Sequence, residues 1–114
     1  MDFPWRQFVA VARGLASESG EEYYRSAVSR AYYAAYGVAW DRLSRSDQDS
    51  IRNKRGVSKH EAVWQLYDRD YNADNDSIGE MGADLKAERQ IADYVASRRV
   101  SAGAAELAIK RHRS

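Results

Sequence analysis

The sequence contains no cysteine, which excludes disulfides and thiolate metal ligands. It has a single proline, Pro4, and only seven glycines, so long stretches run without a strong breaker. That favours helices. No apolar run approaches the ~20 residues needed to span a bilayer. Met1-Asp2-Phe3-Pro4-Trp5-Arg6 lacks the basic-then-apolar order of a signal peptide. Nor is there an excess of one charge: eighteen Lys and Arg face seventeen Asp and Glu, for a net +1. Global charge therefore does not announce a nucleic-acid partner. Sustained period-two alternation and internal repeats are also missing. The expectation is a cytoplasmic protein with no membrane partner, no cofactor and no metal.

The 114 residues allow one domain, 1–114, and their 44% hydrophobic and 31% charged content is that of a globular chain. Trp5, Phe8, Val9, Ala12 and Leu15 recur at helical spacing and predict a first helix from about Phe3 to Ala16, with Pro4 in its first turn. Ser19-Gly20-Glu21-Glu22 reads as a capping box opening the longest helix, about Gly20 to Ser44. Two apolar stripes run along that helix. One is Tyr24, Ala27, Val28, Ala31, Ala35 and Val38; the other is Tyr32, Tyr36, Ala39 and Leu43. A helix apolar on two faces is buried on two sides, within a bundle or at a dimer interface.

Residues 44–57 are polar, with one short turn expected around Gln48 to Asn53. Ser58-Lys59-His60-Glu61 is a second capping box and begins a helix to about Asp68. A loop to Asp76 follows, then a helix from about Ser77 to Ser97 with Ile78, Met81, Leu85, Ala92 and Val95 inward. Ser101 caps a last short helix leading into a basic tail at about 110–114. The sum is an all-α chain, an antiparallel four- to five-helix bundle.

Four features carry candidate chemistry. Asp68, Asp70, Asn72, Asp74 and Asp76 superficially follow the start of a calcium loop. Ala73 and Gly79 stand where that loop needs its glycine and bidentate glutamate, so a solvated loop explains the stretch better. Arg55 and His60 have the spacing R-x4-H. Histidine can move protons between a 2′-hydroxyl and a leaving 5′-oxygen, and arginine can stabilise charge on phosphate. A loop arginine and a helix-start histidine are the plainer explanation. Arg89 projects from the apolar face of its helix, between Leu85 and Ala92, and must find a partner there; Asp93, at i+4, is the natural one. Tyr23, Tyr24, Tyr32, Tyr33 and Tyr36 share one helix, mostly as core with hydroxyls at its edges. Basic clusters lie at Arg42 to Lys59 and at Arg98 to Arg113.

The stretch Tyr24-Arg25-Ser26-Ala27-Val28-Ser29-Arg30-Ala31-Tyr32-Tyr33-Ala34-Ala35-Tyr36 resembles the central helix signature of HEPN proteins, roughly A-x-S-R-A-Y-Y-A-x-F-H-A-A. The chain departs from it at Tyr36-Gly37, where phenylalanine and histidine are usual. Arg89-Gln90-Ile91-Ala92-Asp93-Tyr94 is similar to the R-x-x-A-D-Y of one prokaryotic branch, which often has a histidine where His60 stands. The resemblance implies an HEPN-like bundle, commonly a two-fold homodimer. Many members are RNA-cleaving toxins or defence nucleases encoded with a nucleotidyltransferase partner. Their usual catalytic motif is R-x4-6-H, but Tyr94 stands where that histidine would follow Arg89. With a pKa near ~10, tyrosine is a poor base at neutral pH.

The resulting expectation is an HEPN-type component of a toxin–antitoxin or defence system that binds RNA and cleaves it, if at all, by metal-independent acid/base chemistry. Arg89 would stabilise the phosphate, His60 would be the general acid/base, Tyr94 would orient, and Asp93 would pair with Arg89. Arg30, Arg55 and Lys59 would bind RNA. The alternative is a non-catalytic helical module pairing with a nucleotidyltransferase or antitoxin protein. A third reading is a small-molecule or nucleotide pocket lined by Arg30, Arg89 and Tyr33.

Overall fold

The computed structural model describes residues 3–70 and 78–112, which form six helices and no strand. These are α1 (Gln7–Ala16), α2 (Glu21–Arg42), α3 (Arg45–Asn53), α4 (Lys59–Asp70), α5 (Ile78–Tyr94) and α6 (Ala102–His112). Of the acidic stretch with the calcium-like pattern, residues 71–77 lie outside the described residues. None of the described helices is long and apolar enough to cross a membrane.

The two apolar stripes of α2 make it the central helix. It packs against α1, α5 and α6, and more lightly against α4. Ala27, Ala31 and Ala34 on it have no exposed surface, and their small side chains let neighbouring helices come close. Gly37 has the same use: a Cβ there would fall 2.2 Å from the Trp5 indole. Trp5 in turn meets Phe3 and Phe8 edge-on, so the start of the chain is pinned to α2 by aromatic rings.

Glycine also sets the α4–α5 contact. A Cβ on Gly82 would lie 2.1 Å from the Trp64 ring, and one on Gly79 would lie 2.4 Å from the Trp64 carbonyl oxygen. Only glycine permits that approach. α1 and α6 also touch each other, closing one side of the bundle over α2.

Several boundaries differ from expectation for local reasons. Six helices stand where four to five were expected, because the region expected to hold one short turn is the nine-residue α3. Its start is Ser44, whose Oγ accepts from the Asp47 N–H at 3.1 Å. The capping boxes behave unequally. Ser58 Oγ accepts from the Glu61 N–H, and Ser101 Oγ from the Ala104 N–H, each at 3.1 Å. Ser19 does not cap α2. Gly20 holds the N-cap position at φ +143°, without a side-chain cap, a backbone state that glycine enters at no steric cost.

The C-terminal end of α5 comes earlier than expected, at Tyr94, and arginine explains it. Arg25 on α2 donates to the carbonyls of Ile91 (3.1 Å) and Ala92 (3.0 Å), and to that of Arg98 beyond the helix. Carbonyls in the last turn of a helix lack intrahelical partners, although that of Ile91 also accepts from the Val95 N–H at 3.0 Å. Glu21, one turn earlier, pairs with Arg25 at 2.9 Å and accepts from the Val100 N–H at 3.1 Å. That backbone bond, followed by Arg25, holds the Glu21 carboxyl below the usual carboxylate range. One turn of α2 thus fixes the α5–α6 connection.

Candidate functional site

Three helices bring their unusual polar residues to one place. α2 supplies Tyr32, Tyr33 and Tyr36, α4 supplies His60 and Trp64, and α5 supplies Arg89, Asp93 and Tyr94. Helical spacing explains the first set, since residues three and four apart share a face.

Arg89 is the buried charge. Only 8% of it is exposed, and it is the one charged residue in the core of the described residues. Its guanidinium lies 5.5 Å from the Tyr32 ring centroid, 5.5 Å from that of Tyr33 and 5.8 Å from that of Tyr94. Aromatic faces attract cations at such distances. The expected pairing with Asp93 exists, but at 3.5 Å, the outer limit of a hydrogen bond. Asp93 also accepts from Ser29 Oγ at 3.3 Å. The Arg89 Nε is buried and has no acceptor. A buried guanidinium normally uses its five donors; here Nε has no acceptor among the described residues and Nη1 has only the long contact to Asp93.

His60 sits against the same tyrosines. It stacks on Tyr36 with centroids 3.9 Å apart and planes 10° from parallel, and meets Tyr32 at 5.6 Å and Tyr33 at 5.9 Å. The two residues singled out from sequence, Arg89 and His60, are therefore joined within one chain through Tyr32 and Tyr33. Burial pushes the His60 pKa below its ordinary value, and the cations Arg89 and Lys86 push it further down. Neutral imidazole is the form the site favours. Burial likewise raises the Tyr32 and Tyr36 hydroxyls, which stay protonated.

A directed hydrogen-bond chain fixes which nitrogen of His60 carries its proton. Trp64 Nε1–H can only donate, and it lies 3.1 Å from the Tyr32 hydroxyl oxygen. Tyr32 is fully buried, so its own O–H must find an acceptor. Among the described residues that acceptor is His60 Nδ1, at 2.7 Å. Tyr32 therefore donates to Nδ1, and neutral His60 carries its hydrogen on Nε2. The site offers donors: the guanidinium of Arg89 and the Nε2–H of His60. A ligand that suits both is an anion.

The remaining expected residues are placed elsewhere. Tyr94 is 75% exposed, close to Arg89 and free to meet a ligand. Arg30, two residues from Tyr32 and so ~160° around the helix from it, lies over the Phe8 ring at 5.3 Å and takes no part in the cluster. Arg55 and Lys59 are exposed around the start of α4, outside the ring cluster; the R-x4-H spacing of Arg55 and His60 does not become a contact. The third reading, a pocket lined by Arg30, Arg89 and Tyr33, loses Arg30 for the same reason.

Sequence reasoning missed Tyr32 as the residue that orients His60, and Trp64 as the donor behind it. A signal existed. Tyr32 and Tyr36 lie on one stripe and His60 and Trp64 are an i, i+4 pair, but nothing in the sequence shows that the two stripes face each other. The departure at Tyr36-Gly37 also acquires a local account: Tyr36 is the stacking partner of His60, and Gly37 is the seat of Trp5.

Compared with family models, with curated proteins and with solved structures, the chain matches none.

Proposed function

We propose that this chain is an HEPN-type component of a toxin–antitoxin or defence system that binds RNA through its phosphate backbone at the Arg89–His60 site. The observation that carries this reading is the state of Arg89: buried, ringed by three tyrosines, with Nε unpaired and one long contact to a carboxylate. A phosphate oxygen would bond the terminal nitrogens of the guanidinium, as arginine does for phosphate generally, while Nε stays enclosed. The exposed Tyr94 ring beside it offers a face on which an unpaired base can stack. Two-fold pairing of such chains would bring two of these sites onto one RNA.

Cleavage at this site would run without a metal. The 2′-oxygen attacks phosphorus as its proton passes to His60; the bond to the 5′-oxygen breaks, and that oxygen takes a proton from the resulting imidazolium. Arg89 stabilises the charge on the pentacoordinate phosphate. This requires a lone pair on Nε2, the nitrogen that Tyr32 does not hold. Tyr32, by holding Nδ1, leaves that lone pair only after the imidazole exchanges its proton.

That same bond favours a second reading, a non-catalytic module that pairs with a nucleotidyltransferase or antitoxin protein. The deciding experiment incubates wild type and Arg89→Ala with total RNA in EDTA and resolves the products on a denaturing gel. Cleavage by the wild type alone is the expected outcome for an active ribonuclease. Intact RNA in both lanes, with gel-shift binding lost only in Arg89→Ala, leaves RNA binding without cleavage. Intact RNA and equal binding by the two folded proteins favour the second reading.

A further inference from the structure

A second concavity lies around α2 from the tyrosine–histidine cluster, with Trp64 between the two. Its volume is about 460 Å³. α1 and α5 flank it, and both pack on α2. The open part of the floor is apolar: half-buried Ala35 and Val38 from α2, and half-buried Ile78 and Met81 from α5. Ala35 carries only a methyl, so a helical backbone can approach closely there, as small residues allow wherever helices cross tightly.

The rim is cationic. Arg6, Arg13 and Arg42 all border the cleft, all are exposed, and none of them makes an ion pair with a described residue. Elsewhere on this chain exposed arginines do find carboxylates, as Arg52 does with Asp49 and Arg69 with Asp70. Three guanidiniums without an ion pair among the described residues, set around an apolar trough, have a definite complement. It is a ligand with an apolar stripe and carboxylates along its flanks.

We infer that this cleft is a docking groove for an acidic amphipathic helix of a partner protein. Arg6 and Arg13 are seven residues apart, ~10.5 Å along α1, so carboxylates at i and i+7 of a helix lying alongside would meet both. Its leucine-type stripe would cover Val38 and Met81, in the helix-in-groove manner. Arg42, in the last turn of α2, would meet a carboxylate at the far end. The groove is separate from Arg89, so its occupant and an RNA need not compete.

The test uses two designed helical peptides of about 18 residues, long enough to be helical alone. Both carry a leucine stripe; one is flanked by glutamates, the other by lysines. Binding is read from indole emission, since Trp64 lines the groove, and from amide shifts. The full chain is compared with Arg6→Glu/Arg13→Glu and with Arg45→Glu/Lys54→Glu, an equal charge change on α3 and its end. We expect binding of the glutamate peptide, weakening with salt, reduced at least about tenfold by Arg6→Glu/Arg13→Glu and unchanged by the α3 variant.

Circular dichroism confirms that both variants fold, which their exposed positions favour. Equal binding of the two peptides overturns the inference, as does an equal loss in both variants. Dodecanoate binding in place of the glutamate peptide would make the cleft a small-ligand pocket instead. Concentration-dependent dimers abolished by Arg6→Glu/Arg13→Glu, without peptide binding, would assign the groove to a second copy of this chain.

Discussion

Replacing Tyr32 by phenylalanine deletes one oxygen and tests the hydrogen-bond chain from Trp64 to His60. The ring still fits, so no cavity forms beyond the hydroxyl. What changes is partnership. Trp64 Nε1–H, on a residue only 4% exposed, loses its acceptor, and His60 Nδ1 loses its donor. Leaving a buried donor unsatisfied costs ~1–3 kcal/mol; half-buried His60 can recover a water, and removing the buried hydroxyl returns part of the cost. The net is about 2 kcal/mol, or about 8 °C at roughly 4 °C per kcal/mol for a chain of this size.

The chemical consequence is sharper than the thermal one. In the wild type, nitrogen NMR of the imidazole should show the hydrogen on Nε2. In Tyr32→Phe that preference should relax, and the His60 pKa should rise towards 6.5, its ordinary value, because a donor to Nδ1 stabilises the neutral ring. Thermal unfolding by circular dichroism and a histidine titration measure both effects. A wild-type ring protonated on Nδ1, or a Tyr32→Phe protein with unchanged tautomer and pKa, would refute the chain of donors argued above.

Two further outcomes follow from the same geometry. Gly79→Ala should destabilise the fold by ~1–3 kcal/mol, since its Cβ would meet the backbone of α4 at 2.4 and 2.6 Å; the gain in helix propensity, ~1 kcal/mol, offsets only part, and chemical denaturation reads the difference. Stability should also fall on acidification. The folded chain holds His60 below 6.5 while the unfolded chain does not, so the unfolded state binds the extra proton as pH drops through 6.5 and beyond. The loss begins there and is complete once the folded-state pKa is passed. In His60→Gln this part of the pH dependence should vanish from the unfolding midpoint.

The sequence carried the helical fold through its spacing, and α2 as the central helix through its double stripe. Arg89 and His60 were visible because each breaks a pattern: a charge on an apolar face, and a histidine at a capped helix start. What stayed hidden depends on how helices face one another. Arg30 belongs to the same signature as Tyr32 yet turns to Phe8, and Arg55 has the right spacing to His60 yet remains on the surface. Spacing along a chain fixes faces on one helix; it does not say which faces meet. Ser19 failed as a cap for a different reason, because the neighbouring Gly20 could take a backbone state closed to serine.

Arg25 carries a consequence for how mutational scans of this protein would be interpreted. It is an arginine four residues from Ser29 and two turns from Tyr32, in the helix that supplies three tyrosines to the candidate site. Under the proposed function, a scan scored on RNA binding would record its loss as the loss of a phosphate ligand. Its donors are already committed to the carbonyls of Ile91, Ala92 and Arg98. What its removal would release is the end of α5, and with it the placement of Asp93 and Tyr94. Such a variant would lower binding by misplacing groups rather than by removing one. Added salt distinguishes the two: deleting a phosphate contact shallows the salt dependence of RNA binding, whereas misplacement lowers affinity with that slope intact.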